Sequence, residues 1–581
     1  MKRGILMQFF LTLKEDGNIS FCPFQAMDKL NSDVLSYLSK PLSLETIQIV
    51  QERLYRRKLV NFLHKGPKRR DRKLEILKII KALGWDTQDF TWQELSPASA
   101  TGCSDRLDEK RYYEVRNIFN RLVLGRQLSF SDLSSLAREL KLEEREIISL
   151  AHSSVEQGIA QWVPAVKSHG RGWQCQRCGE TNVEEWPSLQ GMAATCRSCE
   201  SIGPSTSLDV LFRDQRPLLD GPSEVPFRPH WTLTEAQRLA SEQVLEFIKD
   251  ASEETALLWA ACGAGKTEVC FPSAAWALER GKSVLFAAPR QDVVKDIEPR
   301  LRRDFPDYPL QVLTGTTLVK FQGGGMVLAT THQVLRFWRA FDVVFMDEMD
   351  AFPYHGSRAL EWGLKHALRP NGKIVYMTAT PSPEGLVGVQ QGKIRLIRLP
   401  ARHHRTPLPV PSWERSRHPL ESYSCTDLWA SQIDTLRAAG PVLVFVPKIS
   451  WIKPWIKCFQ RRFPDWCVDG SYGSDLGRST KLERLRQGEF DLFVSTTILE
   501  RGITLSRIQV VVLAADHPVF DECALVQMAG RVGRTRESPE GKVVFVSQRR
   551  TPAMKTAVLW IKEQNRHAME LGLINAGSAG G

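Results

Sequence analysis

The chain has 581 residues, with 78 Lys and Arg against 66 Asp and Glu, a net charge of +12, and is 42% hydrophobic and 25% charged. About three to five domains fit this length, which excludes a small disulfide-stapled scaffold; the composition excludes a wholly disordered chain, and no uncharged apolar run reaches the ~18 residues of a spanning helix. The positive balance points to an acidic partner, such as nucleic acid or an anionic membrane face.

The apolar start is broken by Gln8, followed by Lys14-Glu-Asp16, and lacks a small-residue cleavage site. It therefore reads as part of an intracellular chain and not as a signal peptide. Asp16-Gly17 between two apolar segments predicts a β-hairpin over 5–22. The rest of an N-terminal region, 1–164, is helical in pattern. It contains a basic cluster from Arg53 to Lys73 with Asp71 as its only acid, either a solvated face or a contact for an acidic partner. Leu133–Leu140 and Ile147–Leu150 predict two short amphipathic helices.

Four of the twelve cysteines form Cys175-Gln-Arg-Cys178 and Cys196-Arg-Ser-Cys199, separated by residues 179–195. Two such knuckles supply four thiolates to one tetrahedral ion, so a module over 165–205 is expected to hold structural Zn2+ through Cys175, Cys178, Cys196 and Cys199. Two disulfides are the alternative, disfavoured inside a cell. A Pro-, Ser- and Asp-rich loop from Gly203 to Pro229 follows.

From Trp231 the pattern changes to short apolar strands alternating with helices: Ala256–Ala260, Ser283–Ala287, Met326–Ala329, Val343–Met346 and Ile374–Met377. A second series contains Pro441–Val446, Leu492–Ser495, Val510–Leu513 and Val543–Val546. Both predict parallel α/β sheets, over 225–400 and 401–565, with His403 to Arg417 as a flexible linker. A tail is expected over 566–581, ending in the flexible Ala576–Gly581.

Within the first series, Ala260-Ala-Cys-Gly-Ala-Gly-Lys-Thr267 follows a strand and opens a helix. This is the setting of a phosphate-binding loop. The N–H groups of Gly263, Ala264 and Gly265 can wrap a phosphate at the helix N-terminus. Lys266 is expected on the β- and γ-phosphates of ATP, and Thr267 on Mg2+. Asp347-Glu-Met-Asp350 ends the Val343–Met346 strand, at the sheet edge where ligands bind. Asp347 is expected to hold Mg2+ through water, and Glu348 to orient and deprotonate the attacking water.

These motifs resemble those of the superfamily 2 helicases and translocases, whose two RecA-like lobes sandwich ATP. In that resemblance Leu233-Thr-Glu-Ala-Gln237 matches the adenine-contacting segment, with Gln237 as the contact, and Thr378-Ala-Thr380 matches the coupling motif. Ser495-Thr-Thr and Glu500-Arg-Gly-Ile-Thr504 match the motif meeting nucleotide and nucleic acid. Gln527-Met-Ala-Gly-Arg-Val-Gly-Arg534 matches Q-x-x-G-R-x-G-R, which places Gln527 at the nucleotide and implies charge stabilisation across the cleft by Arg531 and Arg534. The DEAD-box pattern fits less well, because Met349 replaces Ala, Thr504 replaces Asp, and Ala288-Pro-Arg-Gln-Asp292 stands where Pro-Thr-Arg-Glu-Leu is found. Primosomal helicases are nearer but carry their cysteine pairs inside the helicase region.

Four cysteines ahead of the ATPase, Asp347 to Tyr354, Arg402-His-His-Arg and Ala515-Asp-His-Pro518 together resemble the DNA-uptake ATPases of natural competence. That resemblance implies a cytoplasmic motor, peripherally associated with the membrane, that pulls single-stranded transforming DNA through an inner-membrane channel. It also implies a partner encoded in the same operon that resembles a phosphoribosyltransferase. A duplex-unwinding helicase for replication restart and an ATP-gated DNA-binding adaptor are the alternatives.

Overall fold

The computed structural model describes residues 7–16, 18–29, 34–60, 69–83, 85–88, 90–94, 109–170, 172–188, 190–219, 224–424, 428–497 and 505–575. Part of the basic cluster, the Glu500–Thr504 motif and the Ala576–Gly581 tail lie outside these residues.

The first α/β lobe is a seven-stranded, all-parallel sheet. Its spatial order is Leu310–Leu313, Met326–Thr330, Val284–Ala288, Phe341–Asp347, Leu368–Thr378, Thr255–Ala260 and Arg395–Leu399. The second lobe has six parallel strands, ordered Ser412–Arg415, Val543–Ser547, Gln509–Leu513, Val442–Phe445, Leu492–Ser495 and Val468–Ser471. Central strands such as Val284–Ala288 and Gln509–Leu513 are buried at every residue, since helices cover both sheet faces; this is why they read as continuous apolar runs. The four strands unmarked in the sequence pattern, Leu310–Leu313, Arg395–Leu399, Ser412–Arg415 and Val468–Ser471, are the outermost strands of the two sheets.

Ahead of the lobes, the hairpin Phe9–Lys14 with Ile19–Pro23 joins Val34–Leu38 and Trp92–Glu94 in an antiparallel sheet. Among the described residues, five α-helices follow or interleave with it, including the Phe130–Glu139 and Glu144–Glu156 pair. Strands Ala160–Pro164 and Val210–Asp214 pair with each other, and the cysteine module is inserted between them as two hairpins. The module docks on the first lobe. Its four cysteines and Ile202 share one apolar cluster with Leu285, Ala287, Val344 and Met346. The other face of that sheet belongs to a core continuous with the second lobe, through Leu443, Phe445, Val526 and Met528.

The expected linker is ordered. Ser412–Arg415 pairs with Val543–Ser547, and His404 meets the carbonyl of Gly533 at 2.8 Å. Its flexibility is therefore corrected: the segment has few apolar residues, but its polar groups are bound to the backbone of the second lobe. The final helix, Pro552–Glu570, runs past position 565, and Leu573 and Ile574 beyond it are buried.

Candidate nucleotide cleft and cysteine centre

The helix Lys266–Glu279 starts at Gly265, which has φ 81°, and Gly263 has φ 77°. Both lie in the left-handed region that glycine tolerates without a Cβ penalty. A Cβ at Gly265 would stand 2.6 Å from Nε2 of Gln237. That amide donates to the carbonyl of Ala264 at 2.8 Å, while Oε1 accepts from the N–H of Thr234 at 3.0 Å. Gln237 therefore ties the N-terminus of the Glu235–Lys249 helix to the phosphate loop.

The Nζ of Lys266 lies 2.7 Å from Oδ1 of Asp347, so the phosphate-loop cation and the strand-end carboxylate face one point. Burial opposes the charge of Lys266, but Asp347, Glu348 and Asp350 outweigh it and hold its pKa above the ordinary lysine value. Glu348 is 9% exposed and has φ 52°, an uncommon conformation for a non-glycine residue. The carboxylate of Asp350 accepts hydrogen bonds from the hydroxyls of Thr378 and Thr380, each at 2.6 Å. The Thr-Ala-Thr segment is thereby joined to the acidic motif, a pairing that sequence spacing does not reveal.

The second lobe closes the cleft. The helix Glu522–Ala529, capped by Asp521, delivers Gln527 and the turn from Gly530 to Arg534. Oε1 of Gln527 is 3.6 Å from Sγ of Cys262. Arg534 donates from Nε to the carbonyl of Gly530 at 3.0 Å, and its Cγ lies 3.5 Å from the position of a Cβ on Gly263. A cleft of about 770 Å3 results, lined by Gln237, Gly263, Ala264, Gly265, Lys266, Thr267, Asp347, Glu348, Gln527 and Arg534. Arg531 is buried at 1% exposure and is not among the lining residues. Trp231, His403, Arg536, Glu537 and Arg300 also line the cleft; Arg300 pairs with Glu268 at 2.7 Å. These carry no spacing signal, since they come from four separate places in the chain.

The cysteine centre is equally specific. All four Sγ atoms lie within 4.8 Å of one another, with Cys175–Cys199 and Cys178–Cys196 both at 3.6 Å. Thiolates about 2.3 Å from a tetrahedral Zn2+ stand about 3.8 Å apart, so the set fits that ion. The separations exceed the ~2.05 Å of a disulfide. Arg177 donates to Sγ of Cys199 at 3.4 Å and offsets part of the thiolate charge. Gly179, φ 73°, closes the first knuckle, and a Cβ there would meet the ring of Trp362 at 2.2 Å, so the knuckle is pressed directly onto the first lobe.

Residues 230–383 match the family model of the type III restriction enzyme res subunit, and residues 428–536 match that of the helicase conserved C-terminal domain. Competence protein ComFA of Bacillus subtilis (strain 168) is 31% identical over 462 residues, 78% of this chain and 95% of that protein. ComFA of Streptococcus pneumoniae (strain ATCC BAA-255 / R6) is 32% identical over 418 residues, 71% and 95% of the two chains. Among solved structures, S. cerevisiae Dbp5 bound to RNA and ADP BeF3 aligns with a TM-score of 0.43 and 14% identity, covering 58% of this chain and 88% of that one. The two RecA-like lobes and the two domain matches make the chain an ATP-dependent superfamily 2 helicase or translocase, and the extent of its likeness to the two competence proteins shows that it belongs to the ComFA family.

Proposed function

We infer that the chain is an ATP-driven translocase on single-stranded DNA that draws transforming DNA across the cytoplasmic membrane during competence. One observation carries the reading most. Lys266, Asp347 and Glu348 of one lobe and Arg534 of the other line a single cleft, so closure of the lobes and turnover of ATP are mechanically linked. Lys266 binds the β- and γ-phosphates, the loop amides of Gly263 to Gly265 hold them, and Thr267 and Asp347 hold Mg2+. Bound Mg2+ supplies neutralisation of phosphate charge. Glu348 accepts the proton of the attacking water, and Arg534 stabilises charge on the transferring phosphoryl group. Arg531, in the same turn, is buried at 1% exposure and does not line the cleft. Cys175, Cys178, Cys196 and Cys199 hold structural zinc.

Each lobe tracks the phosphate backbone of the strand, so binding is tolerant of sequence and sensitive to salt. Among the described residues no helix is long and apolar enough to cross a membrane. The family resemblance supports placing its action at the cytoplasmic face, by peripheral association with the uptake channel and together with the phosphoribosyltransferase-like operon partner.

The test measures ATP hydrolysis with and without single-stranded DNA at low salt, then displacement of streptavidin from biotinylated single strands. Stimulation that weakens with salt, plus ATP-dependent displacement, supports translocation. Strand separation of duplex with equal efficiency would favour the replication-restart helicase. Stimulation without displacement would favour the adaptor. Equal rates with and without DNA would overturn the motor reading.

A further inference from the structure

Arg402 stands just beyond the last strand of the first lobe and is 1% exposed. Its guanidinium donates four hydrogen bonds to backbone carbonyls. Nε binds Cys262 at 2.7 Å, Nη1 binds Val532 at 2.6 Å and Gly533 at 2.5 Å, and Nη2 binds Gly530 at 3.0 Å. Cys262 directly precedes the first glycine of the phosphate loop, and Gly530, Val532 and Gly533 form the turn that carries Arg534. Among the described residues, no carboxylate pairs with Arg402. Burial, reinforced by the charge of Arg534, lowers its pKa to about 9. A guanidinium held this way is costly to place, and only the donor fork satisfies it.

We propose that Arg402 is a positioning residue that travels with the second lobe and sets the register between the phosphate loop and Arg534. The bond count gives the direction. Three bonds, with the contact of His404 to Gly533, hold the segment to the second lobe, and one bond crosses to the first. Opening of the cleft therefore breaks the bond to Cys262, and closing remakes it. The Cys262 carbonyl belongs to the same planar peptide as the N–H of Gly263. When the bond forms, it fixes the plane of that amide while the same guanidinium fixes the turn bearing Arg534. Loop and arginine then reach their reactive placement together.

The inference rests on Arg534 acting across the cleft, and its test separates the two ideas. In the full chain, Arg402→Lys keeps a charge but cannot span four acceptors, and Arg402→Gln keeps donors without the fork. ATP turnover at saturating single-stranded DNA is expected to fall at least tenfold in both. The KM for ATP should change less than threefold, and each variant is assayed well below its melting temperature, which the unpaired carbonyls are expected to lower. A kcat within threefold of the parent, or a rise in KM at constant kcat, would overturn the proposal. If Arg534→Ala itself left kcat intact, the underlying reading would fail instead. Should the Arg402 variants not fold, hydrogen exchange of the unmodified protein decides. A non-hydrolysable ATP analogue is expected to raise protection at 261–265 and leave 404–406, which do not line the cleft, unchanged. Equal changes in both segments would show that the linker does not travel with the second lobe and overturn the proposal.

Discussion

Replacing Gly530 with alanine separates the lobes without unfolding either. Gly530 has φ −63° and ψ −7°, a conformation that alanine adopts freely, and it caps the Glu522–Ala529 helix. Alanine is also the better helix residue, so the second lobe loses no local stability. The added methyl, however, would lie 2.3 Å from Cβ of Cys262 and 2.7 Å from its Sγ. Ordinary contact begins near 3.4 Å, so the phosphate loop and the arginine turn must part by roughly 1 Å. Misplacement of a reacting group by about 1 Å costs on the order of 10²-fold in rate. Steady-state kinetics should therefore show kcat for ATP down about 100-fold, with thermal denaturation of each lobe unchanged. The double variant Gly530→Ala/Cys262→Gly removes the colliding atoms and should recover most of the rate. A single variant with parental kcat, or a double variant no better than the single, would refute the close lobe contact as the determinant of turnover.

Lys266→Ala should abolish hydrolysis while leaving nucleotide-free binding to single-stranded DNA largely intact, as read by fluorescence anisotropy. Glu348→Gln should retain nucleotide affinity and lose turnover, because an amide cannot accept the proton of the attacking water; normal rates would remove the general-base role. Protein purified without chelator should contain about one zinc per chain. Because the cysteine cluster shares its core with Val344 and Met346, Cys178→Ser should lower the melting temperature of the first lobe as well as release metal. Burial pushes the carboxyl of Glu45 up to about 7, against the N–H of Ser168 that donates to it at 2.6 Å. A carboxyl whose folded pKa exceeds its unfolded value loses stability as pH rises from 4.5 to about 7. Glu45→Gln should flatten that part of the stability-against-pH curve and stabilise the protein at pH 8.

Local chemistry was legible in the residues themselves. The phosphate loop needs glycine at positive φ between a strand and a helix, and Gly263 and Gly265 supply it. The paired cysteines converge because each knuckle is closed by its own short turn. Buried central strands announce themselves as apolar runs because both faces are covered. Outer strands do not: Ser412–Arg415, mostly exposed, carries Trp, Glu and Arg, and only pairing with Val543–Ser547 makes it a strand. Three further features were decided by packing between distant segments. The cysteine module lies against the first lobe because its sulfur cluster completes that sheet's apolar face. Asp350 meets Thr378 and Thr380 because the strands carrying them are neighbours in the sheet, with Phe341–Asp347 beside Leu368–Thr378. Arg402 joins the two lobes through carbonyls, and since every residue offers the same carbonyl, no choice of side chain at Cys262, Gly530, Val532 or Gly533 could have disclosed its partners.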